Sequence, residues 1–466
     1  MKKNKEMSST TVQSLPTSKK IIFAVGQFGW SLAAYSGANL LTYFYMPPES
    51  NQQAAFPPYI FQGVVLGIAT IIGLINFGSR IFDAITDPWI ANFSDRHNFK
   101  IGKRSALLAV AAFPFALFSL LIFVPIVPKE SALNALWLIF CILFYYLAIT
   151  VYCTPYNALI SEYGHTPEGS LSISTYISIT WALGFALGSQ VYLFKDMAQN
   201  SLHLSSTGAF QFVLAIFAFI AFIAMLFPVL FIKESKYSQQ HTTTQNVLKS
   251  LGSAFKNKNF MKFVASDLTY WLSLTFIQVG ISYFVIVLLK LPESQTSFFL
   301  LILFAVSFIF YVPVNFVARR LGKKKVLIFA FLLLAIDFII ITFLNKYPIS
   351  PMIQGYIITF LAAVPMAIFG ILPNAIVADL VEADGKKTGQ YKAGMFFAAR
   401  TFMMKLGISL ANFLFPSFLL LGKDTLNDTG VRVAAFAAFI FCLVGMIIFL
   451  TYNEKEVLAT IKKSDE

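Results

Sequence analysis

Gly78-Ser-Arg-Ile-Phe-Asp-Ala-Ile-Thr-Asp-Pro-Trp89 is an apolar stretch that contains three ionisable side chains, Arg80, Asp83 and Asp87. One charged side chain in the hydrocarbon layer of a membrane costs about 2.5–3.5 kcal/mol on insertion scales. Offsets of three and four residues put all three side chains on one face of a helix, where the two carboxylates repel each other unless a positive charge lies between them. Arg80, another cationic side chain or a bound cation can supply that charge. We therefore interpret the stretch as a cation site in a membrane-spanning helix.

The composition of the whole chain is that of a membrane protein. Hydrophobic residues make up 57% and charged residues 12% of its 466 residues, and the mean hydropathy is +0.72. These values exclude a soluble globular domain and a disordered chain. Apolar stretches of about twenty residues or more predict an all-α membrane protein with twelve transmembrane helices. The predicted spans lie near residues 21–46, 61–92, 106–127, 135–160, 171–193, 208–232, 263–289, 296–318, 325–345, 353–381, 394–421 and 431–452.

The distribution of basic residues predicts the orientation in the membrane. With the amino terminus in the cytoplasm, 26 of the 35 Lys and Arg residues fall in cytoplasmic loops and tails, six on the opposite side and three inside the membrane. Short cytoplasmic loops are enriched in positive charge, so both termini are predicted to be cytoplasmic. The net charge of +13 is explained by these loops, and no nucleic-acid partner is indicated. The first apolar run is too long for a signal-peptide core, and we expect it to remain in the mature chain.

The longest polar connection divides the twelve spans into two sets of six. We predict a cytoplasmic tail (1–20), an N-terminal six-helix bundle (21–232), a cytoplasmic linker (233–262), a C-terminal six-helix bundle (263–452) and a second cytoplasmic tail (453–466). The loops Asp95–Arg104 and Ala318–Lys325 are short, basic and in corresponding positions of the two sets. Six plus six spans with matching loops are expected of the major facilitator fold, whose substrate site lies between the halves near the membrane midplane.

Part of the predicted linker has apolar residues at helical spacing next to lysines. These residues are Val247, Leu248, Leu251 and Phe255. The pattern fits either a short helix on the inner membrane surface or a solvated linker.

Lys405 is the cationic side chain that is best placed to meet the two carboxylates. It lies about twelve residues, or about 18 Å at 1.5 Å per residue, from the cytoplasmic end of span eleven, at the predicted depth of Asp83. In this interpretation Lys405 balances Asp83 and Asp87 when no cation is present and releases them when a cation arrives. A hydroxyl group of Thr86 or Thr150 would add an oxygen ligand for a hard monovalent cation. The alternative is a permanent charge cluster that fixes helix packing.

Arg400 is a second deep cation, five residues before Lys405 in span eleven. It is predicted either to pair with a carboxylate, Asp337 or Asp379, or to present a positive group to an anionic substrate.

The chain lacks the motifs of several other kinds of membrane protein. All four histidines fall in predicted loops, which argues against a histidine proton relay in the membrane. No Gly-rich phosphate-binding loop is present, so an ATP-driven pump is not indicated. The spans contain no Ser/His, Glu-xx-His or paired-His arrangement, and we expect no enzyme activity and no cofactor beyond a coupling cation. Cys141, Cys153 and Cys442 each lie inside a predicted span, so neither a disulfide framework nor a metal-ligand spacing is expected.

Polar and aromatic side chains within the spans are candidates for lining a central cavity. Aromatic rings that stack on sugar faces, together with amides and hydroxyls, suit a polyhydroxylated solute. The same side chains also serve helix–helix hydrogen bonds. The candidates include Ser31, Tyr35, Asn39, Cys153, Tyr156, Asn157, Trp181 and Gln278.

Several motifs in both halves occur together at compatible spacing. In the first half they are Arg80, Asp83, Asp87-Pro88, Asp95 and Gly102-Lys-Arg104. In the second half they are Leu372-Pro-Asn-Ala-Ile-Val-Ala-Asp379, Lys387-Thr-Gly389, Gly394 and Lys405-Leu-Gly407. Together these residues resemble the diagnostic motifs of the glycoside-pentoside-hexuronide:cation symporter family, which belongs to the major facilitator superfamily.

The resemblance implies roles for individual residues. It implies that Asp83 and Asp87 coordinate the coupling cation and that Thr150 contributes a ligand. It also implies that Lys405 is functionally tied to the two acids. Arg80 belongs to the same group of balanced charges.

The chain departs from the family pattern where sugar-transporting members hold sugar hydroxyls. The acidic residues of spans one and four are replaced by Ser31 and Cys153, and the arginine of the loop after span four is missing. The loop after span ten has Tyr391 and Ala393 where the family carries Arg and Glu. These changes indicate retained cation coupling and a rebuilt solute site. A hexuronide or another anionic solute balanced by Arg400, or a lysolipid, fits the loss of negative anchors better than a neutral disaccharide.

The sequence therefore predicts a secondary active transporter that couples Na⁺ or H⁺ to the uptake of a small organic solute by alternating access. The expected solute is a sugar, a glycoside or a uronide. The alternatives are a lysolipid carrier on the same fold and a non-transporting membrane sensor or enzyme. The expected form is a monomer in the lipid bilayer, in the plasma (inner) membrane if the source is bacterial.

Overall fold

The computed structural model describes residues 13–50, 53–97, 99–238, 254–389 and 393–462. These residues form twelve long helical segments, numbered helix 1 to helix 12, and a short antiparallel hairpin of Glu49–Ser50 and Gln53–Ala54. Helix 1 comprises Thr17–Tyr35, a π-helical turn Ser36–Leu40 and Leu41–Tyr45. Helices 2, 3 and 4 are Ile71–Arg96, Ser105–Leu121 and Ala132–Gly164. Helix 5 is Pro167–Gly188 with a continuation, Val191–Leu202, and helix 6 is Ser206–Phe231. Helix 7 comprises Lys258–Tyr283 and a π-helical turn Phe284–Leu288; helices 8 to 12 are Ser294–Leu321, Lys323–Thr342, Pro351–Thr388, Ala393–Leu419 and Thr429–Leu450. Short helices, Glu234–Tyr237 and Glu454–Lys462, follow helix 6 and helix 12.

The helices have the lengths and compositions of membrane spans. Among the described residues, nine helices are long and apolar enough to cross a membrane. Helix 3 is apolar but has only 17 residues, and helix 2 carries Arg80, Asp83 and Asp87. The predicted all-α, multi-pass membrane protein is confirmed.

Helix 2 begins at Ile71, ten residues after the predicted start of span two. The Thr70 side chain caps it by accepting a hydrogen bond from the Gly73 backbone N–H at 3.1 Å. Before the cap, Gly67 has a φ of +82°, a left-handed conformation that does not continue a helix. The predicted boundary was wrong because an apolar loop and an apolar helix have the same composition.

Small residues bring helix 5 close to helix 1. A Cβ atom added to Gly184 would lie 2.0 Å from the Ser31 hydroxyl oxygen, and one added to Gly188 would lie 2.7 Å from the Tyr35 ring. Both positions therefore require glycine for this approach. Such small-residue contacts are a common way to pack helices in membranes.

In each half, a glutamate carboxylate caps the N-terminus of the third helix. The backbone N–H groups of Arg104 and Ser105, at the start of helix 3, donate hydrogen bonds to the Glu234 carboxylate. The backbone N–H groups of the first two residues of helix 9 donate in the same way to Glu454. A carboxylate at a helix N-terminus satisfies free N–H groups and interacts favourably with the helix dipole. The matching loops seen in the sequence thus belong to matching structures.

Helix 2 of the first half packs against helix 11 of the second. A Cβ atom added to Gly73 would lie 3.0 Å from the Phe413 carbonyl oxygen, and the Ser409 hydroxyl donates a hydrogen bond to the Phe77 carbonyl at 3.3 Å. Helix 1 begins and helix 12 ends on the side that the basic loops predict to be cytoplasmic. We call this the inner side and the opposite one the outer side.

The predicted linker is only partly described. Helix 7 begins at Lys258, inside the predicted linker range 233–262. The apolar residues Val247, Leu248 and Leu251, which were assigned to a surface helix or a solvated linker, lie outside the described residues.

Candidate cation and solute site

Asp83 and Asp87 of helix 2 face Lys405 of helix 11. The Lys405 Nζ lies 2.8 Å from an Asp83 carboxylate oxygen and 2.5 Å from an Asp87 oxygen. The Thr150 hydroxyl of helix 4 donates a hydrogen bond to the other Asp83 oxygen at 2.9 Å. The structure thus brings together four residues that the sequence placed in one site. We call Asp83 and Asp87 the acidic pair.

Helix 2 positions the acidic pair through its spacing and its proline. Residues four apart lie one above the other on a helix, so both carboxylates point to the same neighbour. Pro88 has no N–H group, which leaves the carbonyl of Ala84 without its usual helical partner. This carbonyl lies one residue after Asp83.

The two acids differ in their access to water. The Asp83 side chain is 6% exposed, whereas that of Asp87 is 34% exposed. Asp87 lies one helical turn nearer the inner side, so exposure within the acidic pair increases in that direction.

Of the two hydroxyl groups considered from the sequence, one donates a hydrogen bond to a carboxylate of the acidic pair. The Thr86 hydroxyl donates hydrogen bonds to the carbonyls of its own helix, at Phe82 and Asp83. Thr150 instead reaches the Asp83 carboxylate.

Arg80 does not lie between the two carboxylates. Its guanidinium carbon lies 4.9 Å from the centre of the Tyr146 ring, a cation–π contact. Its Nε atom is buried without a hydrogen-bond partner in the described structure. Of the three positive charges that the sequence left open for this position, a cationic side chain from another helix, Lys405, occupies it.

Arg400 forms a polar cluster within the second half. Its guanidinium donates hydrogen bonds to both carboxylate oxygens of Asp267, at 2.9 and 3.3 Å, and to the Asn374 side-chain oxygen at 2.5 Å. Asp267 is almost fully buried and Asn374 is exposed. We call Asp267, Asn374 and Arg400 the C-half cluster.

The two partners that the sequence suggested for Arg400 are not used. Asp379 pairs instead with Lys323 at 2.6 Å. Asp337 is buried, and neither of its oxygens has a hydrogen-bond partner in the described part of the chain. Sequence spacing missed Asp267 because that residue contacts Arg400 from helix 7, far away along the chain.

Four of the predicted cavity residues are packed inside the first half. The Ser31 hydroxyl donates a hydrogen bond to a carbonyl of its own helix, and the Tyr156 hydroxyl donates one to the Phe23 carbonyl at 2.6 Å. Tyr35 lies against helix 5, and the Asn39 amide donates a hydrogen bond to the Tyr35 carbonyl. All four side chains are buried. They stabilise helix packing in this state and do not line an open cavity.

The other predicted cavity residues remain partly accessible. Cys153, Trp181 and Gln278 are half-buried, and Asn157 is exposed. The Trp181 ring stacks on Phe185 at 4.5 Å between centroids, which holds its plane in place. These side chains are the remaining candidates for solute contact.

A second charged cluster lies at the outer side and has no signature in the sequence. Lys195 was assigned to a loop, but it lies in the continuation of helix 5 and is buried against Glu293. Tyr43 of helix 1 donates a hydrogen bond to the same carboxylate. The three residues come from distant parts of the chain, so no local pattern reveals them.

Comparisons with known proteins agree with this architecture. The family described as MFS/sugar transport protein matches residues 22–453. The isoprimeverose transporter of Lactiplantibacillus pentosus is 22% identical over 400 residues, covering 85% of this chain and 78% of that protein. The sodium-dependent lysophosphatidylcholine symporter 1 of Xenopus tropicalis is 22% identical over 521 residues, covering 99% of this chain and 94% of that protein.

A solved structure shows the same fold. The nucleoside transporter NupG superposes with a TM-score of 0.67 at 15% identity, covering 93% of this chain and 98% of that one. At this identity the likeness shows the fold alone, and the predicted major facilitator fold is confirmed. The related proteins are transporters and not enzymes. The chain is therefore a multi-pass membrane transporter that belongs to the MFS/sugar transport protein family.

Proposed function

We propose that this transporter couples the movement of a cation, Na⁺ or H⁺, to the uptake of a small organic solute by alternating access. One observation carries the proposal. Lys405 of the second half lies between two carboxylates of the first half, at 2.8 and 2.5 Å. A positive charge of the protein thus occupies the place that an external cation would take.

The acidic pair has the chemistry of a cation site. Hard cations prefer oxygen ligands, and Asp83, Asp87 and the Thr150 hydroxyl supply oxygens within one small region. The carbonyl of Ala84, which lacks its usual helical partner because of Pro88, is a further candidate ligand. Protonation of the acidic pair would neutralise the same charges if the coupling ion is H⁺.

Exchange between Lys405 and the cation provides the coupling. Without a cation, the ion pair joins helix 2 to helix 11 across the two halves. A bound cation takes over the carboxylates and frees Lys405, which changes the contact between the halves. A ligand shifts a conformational equilibrium only through different affinities for the two states, and this exchange creates such a difference.

Sugars, glycosides and uronides are the proposed solutes. The family description and the isoprimeverose transporter support this class. The half-buried Trp181 ring offers an apolar face on which a sugar ring can stack, and Asn157 and Gln278 offer amide groups. The C-half cluster carries Arg400, which can recognise a carboxylate such as that of a uronide.

A lysolipid carrier is the second candidate. It is supported by the sodium-dependent lysophosphatidylcholine symporter, whose similarity covers 99% of this chain. Ser31 and Cys153, at the positions of the expected acidic sugar anchors, also favour a less hydroxylated substrate. A screen of sugars, uronides and lysolipids separates the two candidates.

The test is a thermal-shift screen of the purified protein, followed by uptake in proteoliposomes. We expect Na⁺ or acid to raise the melting temperature, and one solute class to raise it further only when the cation is present. Asp83→Asn should abolish both the cation effect and gradient-driven accumulation. Asp379→Asn, which removes a carboxylate paired with Lys323 away from the acidic pair, serves as the matched control. Normal accumulation by Asp83→Asn would contradict the proposal.

A further inference from the structure

A buried ion pair joins the two halves near the outer side. Lys195 Nζ, from the continuation of helix 5, lies 2.7 and 2.6 Å from the two carboxylate oxygens of Glu293, which directly precedes helix 8. The Tyr43 hydroxyl of helix 1 donates a hydrogen bond to the same carboxylate. We call Tyr43, Lys195 and Glu293 the outer latch.

The outer latch is shielded from water. The side chains of Lys195 and Glu293 are 3% and 13% exposed. The Lys195 Nζ lies 5.2 Å from the centre of the Phe56 ring, and Tyr43 packs edge-to-face against Tyr192. Charge attraction is strong where water is excluded, and removing one partner of such a pair leaves the other charge buried and unpaired.

Weaker contacts between the halves surround the outer latch. The Tyr283 hydroxyl donates a hydrogen bond to the Met46 carbonyl at 2.6 Å, and the Ser297 hydroxyl donates one to the Ser189 carbonyl at 2.8 Å. Near the hairpin, Lys423 pairs with Glu49, which is more exposed than the outer latch. All these contacts lie at the outer ends of helices 1, 5, 7, 8 and 11.

We propose that the outer latch holds the outer side closed and sets the balance between inward-open and outward-open states. Alternating access requires helix 5 and helix 8 to separate here, which breaks the Lys195–Glu293 pair. Both charges regain water when they separate, so the closure is reversible. An apolar plug of equal stability would instead be exposed to water on opening, at a cost that grows with its area. The inference rests on the alternating-access part of the proposed function and is independent of the cation and the solute.

A native cysteine reports the state of the outer side. Cys153 lies three residues after Thr150 on helix 4 and is half-buried, whereas Cys141 and Cys442 are buried. In the closed state described above, a membrane-impermeant maleimide added outside should reach Cys153 slowly. Opening of the outer side should raise that rate. Reaction in inside-out vesicles gives the reference rate, and Cys153→Ser gives the background.

Charge variants of the outer latch test the inference in right-side-out vesicles. We expect Glu293→Gln and Lys195→Met each to raise the labelling rate of Cys153 from outside about tenfold, which corresponds to a shift of about 1.4 kcal/mol between the two states. Tyr43→Phe should have a smaller effect in the same direction. The exchanged pair, Lys195→Glu with Glu293→Lys, should restore slow labelling.

An ion pair of the same kind within one half provides the matched control. Arg432 and Asp428 pair at 2.6 Å at the start of helix 12 on the outer side, both in the second half. Asp428→Asn should leave the labelling rate unchanged. The inference is overturned if Glu293→Gln and Lys195→Met both label like Asp428→Asn, or if the exchanged pair labels as fast as the single variants. The two single variants break the outer latch from opposite halves. If one of them fails to fold, the other still tests the inference.

The labelling result is distinguishable from a failure of the cation proposal. Labelling measures separation of the halves and requires no gradient. If the latch variants label faster but Na⁺ and acid leave the melting temperature of the unchanged protein the same, the inference about the outer latch stands and the proposed cation site is rejected.

Discussion

Lys405 has the geometry of an internal substitute for a cation. A single ammonium group contacts both acids of helix 2, and neither acid has another cationic partner within ion-pair distance among the described residues. In the proposed function, the charge of Lys405 and an external cation compete for the same oxygens. The strength of that competition would then set the apparent affinity of the protein for the cation.

Lys405→Met should raise cation affinity and abolish coupled transport. Removal of the competing charge leaves the acidic pair free, so the Na⁺ concentration at half-maximal thermal stabilisation should fall about tenfold or more, a change of about 1.4 kcal/mol per tenfold. Gradient-driven uptake should be lost, because the cation no longer changes a contact between the halves. Titration of the melting temperature with Na⁺ measures the first effect, and proteoliposome uptake measures the second. Weaker Na⁺ binding in Lys405→Met than in the unchanged protein would contradict the competition.

The Asp267–Arg400 pair should be important for stability. Asp267 is almost fully buried, and breaking a buried pair by removing one partner costs about 3–5 kcal/mol. Asp267→Asn should therefore lower the melting temperature clearly. Asp379→Asn, whose pair with Lys323 is more exposed, should cost at most about 1 kcal/mol. Thermal unfolding in detergent compares the two.

The double variant Asp267→Asn with Arg400→Gln tests whether the stability loss comes from breaking the ion pair or from burying each side chain separately. Loss of both charges should cost less than the sum of the single losses, because no unpaired charge remains. Additive losses would show that the two side chains do not act as a pair.

At the scale of helices, each half uses one glutamate to accept hydrogen bonds from the N-terminus of its third helix. Glu234 and Glu454 begin the short helices after helix 6 and helix 12, and each accepts hydrogen bonds from the N-terminus of the third helix of its half. Helix ends in the interior need such partners for their free N–H groups. The two glutamates therefore connect the last and third helices of each half.

Glu234→Gln and Glu454→Gln should each reduce stability by about 1 kcal/mol, the usual size of a charge interaction at a helix N-terminus. The loss should be larger for Glu234, whose side chain is buried, than for Glu454. Glu456→Gln, in the same short helix as Glu454 but exposed, is the control. Hydrogen exchange of the first turn of helix 3 or helix 9 localises the effect. An unchanged exchange rate in the glutamate variants would exclude the capping role.

The sequence was sufficient for those helix features that depend on local pattern. The spacing of Asp83 and Asp87 predicted one face, and the depth of Lys405 in span eleven predicted the partner that the structure shows. The start of helix 2 was misplaced because Gly67 and Thr70 end an apolar loop that resembles a span in composition. Lys195 was assigned to a loop because the predicted apolar span ends near residue 193, whereas the continuation of helix 5 runs on through polar residues to Leu202.

For the molecule as a whole, hydropathy and corresponding loops indicated a membrane protein of the major facilitator fold, and the family match confirms that fold. Contacts between distant helices were the features that could not be read. Arg400 has three candidate acids in the spans, and only packing selects Asp267. Tyr43, Lys195 and Glu293 meet because the halves close on the outer side, a property of one state of the molecule and not of any segment.

The whole arrangement predicts from which side the centre of the molecule is reached. The halves are joined on the outer side by the outer latch and its neighbours, and Asp87, the more exposed acid of the acidic pair, is also the one nearer the inner side. Without cation or solute, an impermeant maleimide should therefore label Cys153 faster in inside-out than in right-side-out vesicles.

The orientation itself needs an independent marker in that experiment. Lys129 is exposed in the loop between helix 3 and helix 4 on the outer side, so a Lys129→Cys variant made in a Cys153→Ser background should label only in right-side-out vesicles. If Lys129→Cys labels from outside while native Cys153 also labels faster from outside, the basic loops have given the correct orientation and the resting state is outward-open. If Lys129→Cys labels only in inside-out vesicles and native Cys153 labels faster in right-side-out vesicles, the predicted orientation is wrong. An inverted protein would exchange the access of both side chains together.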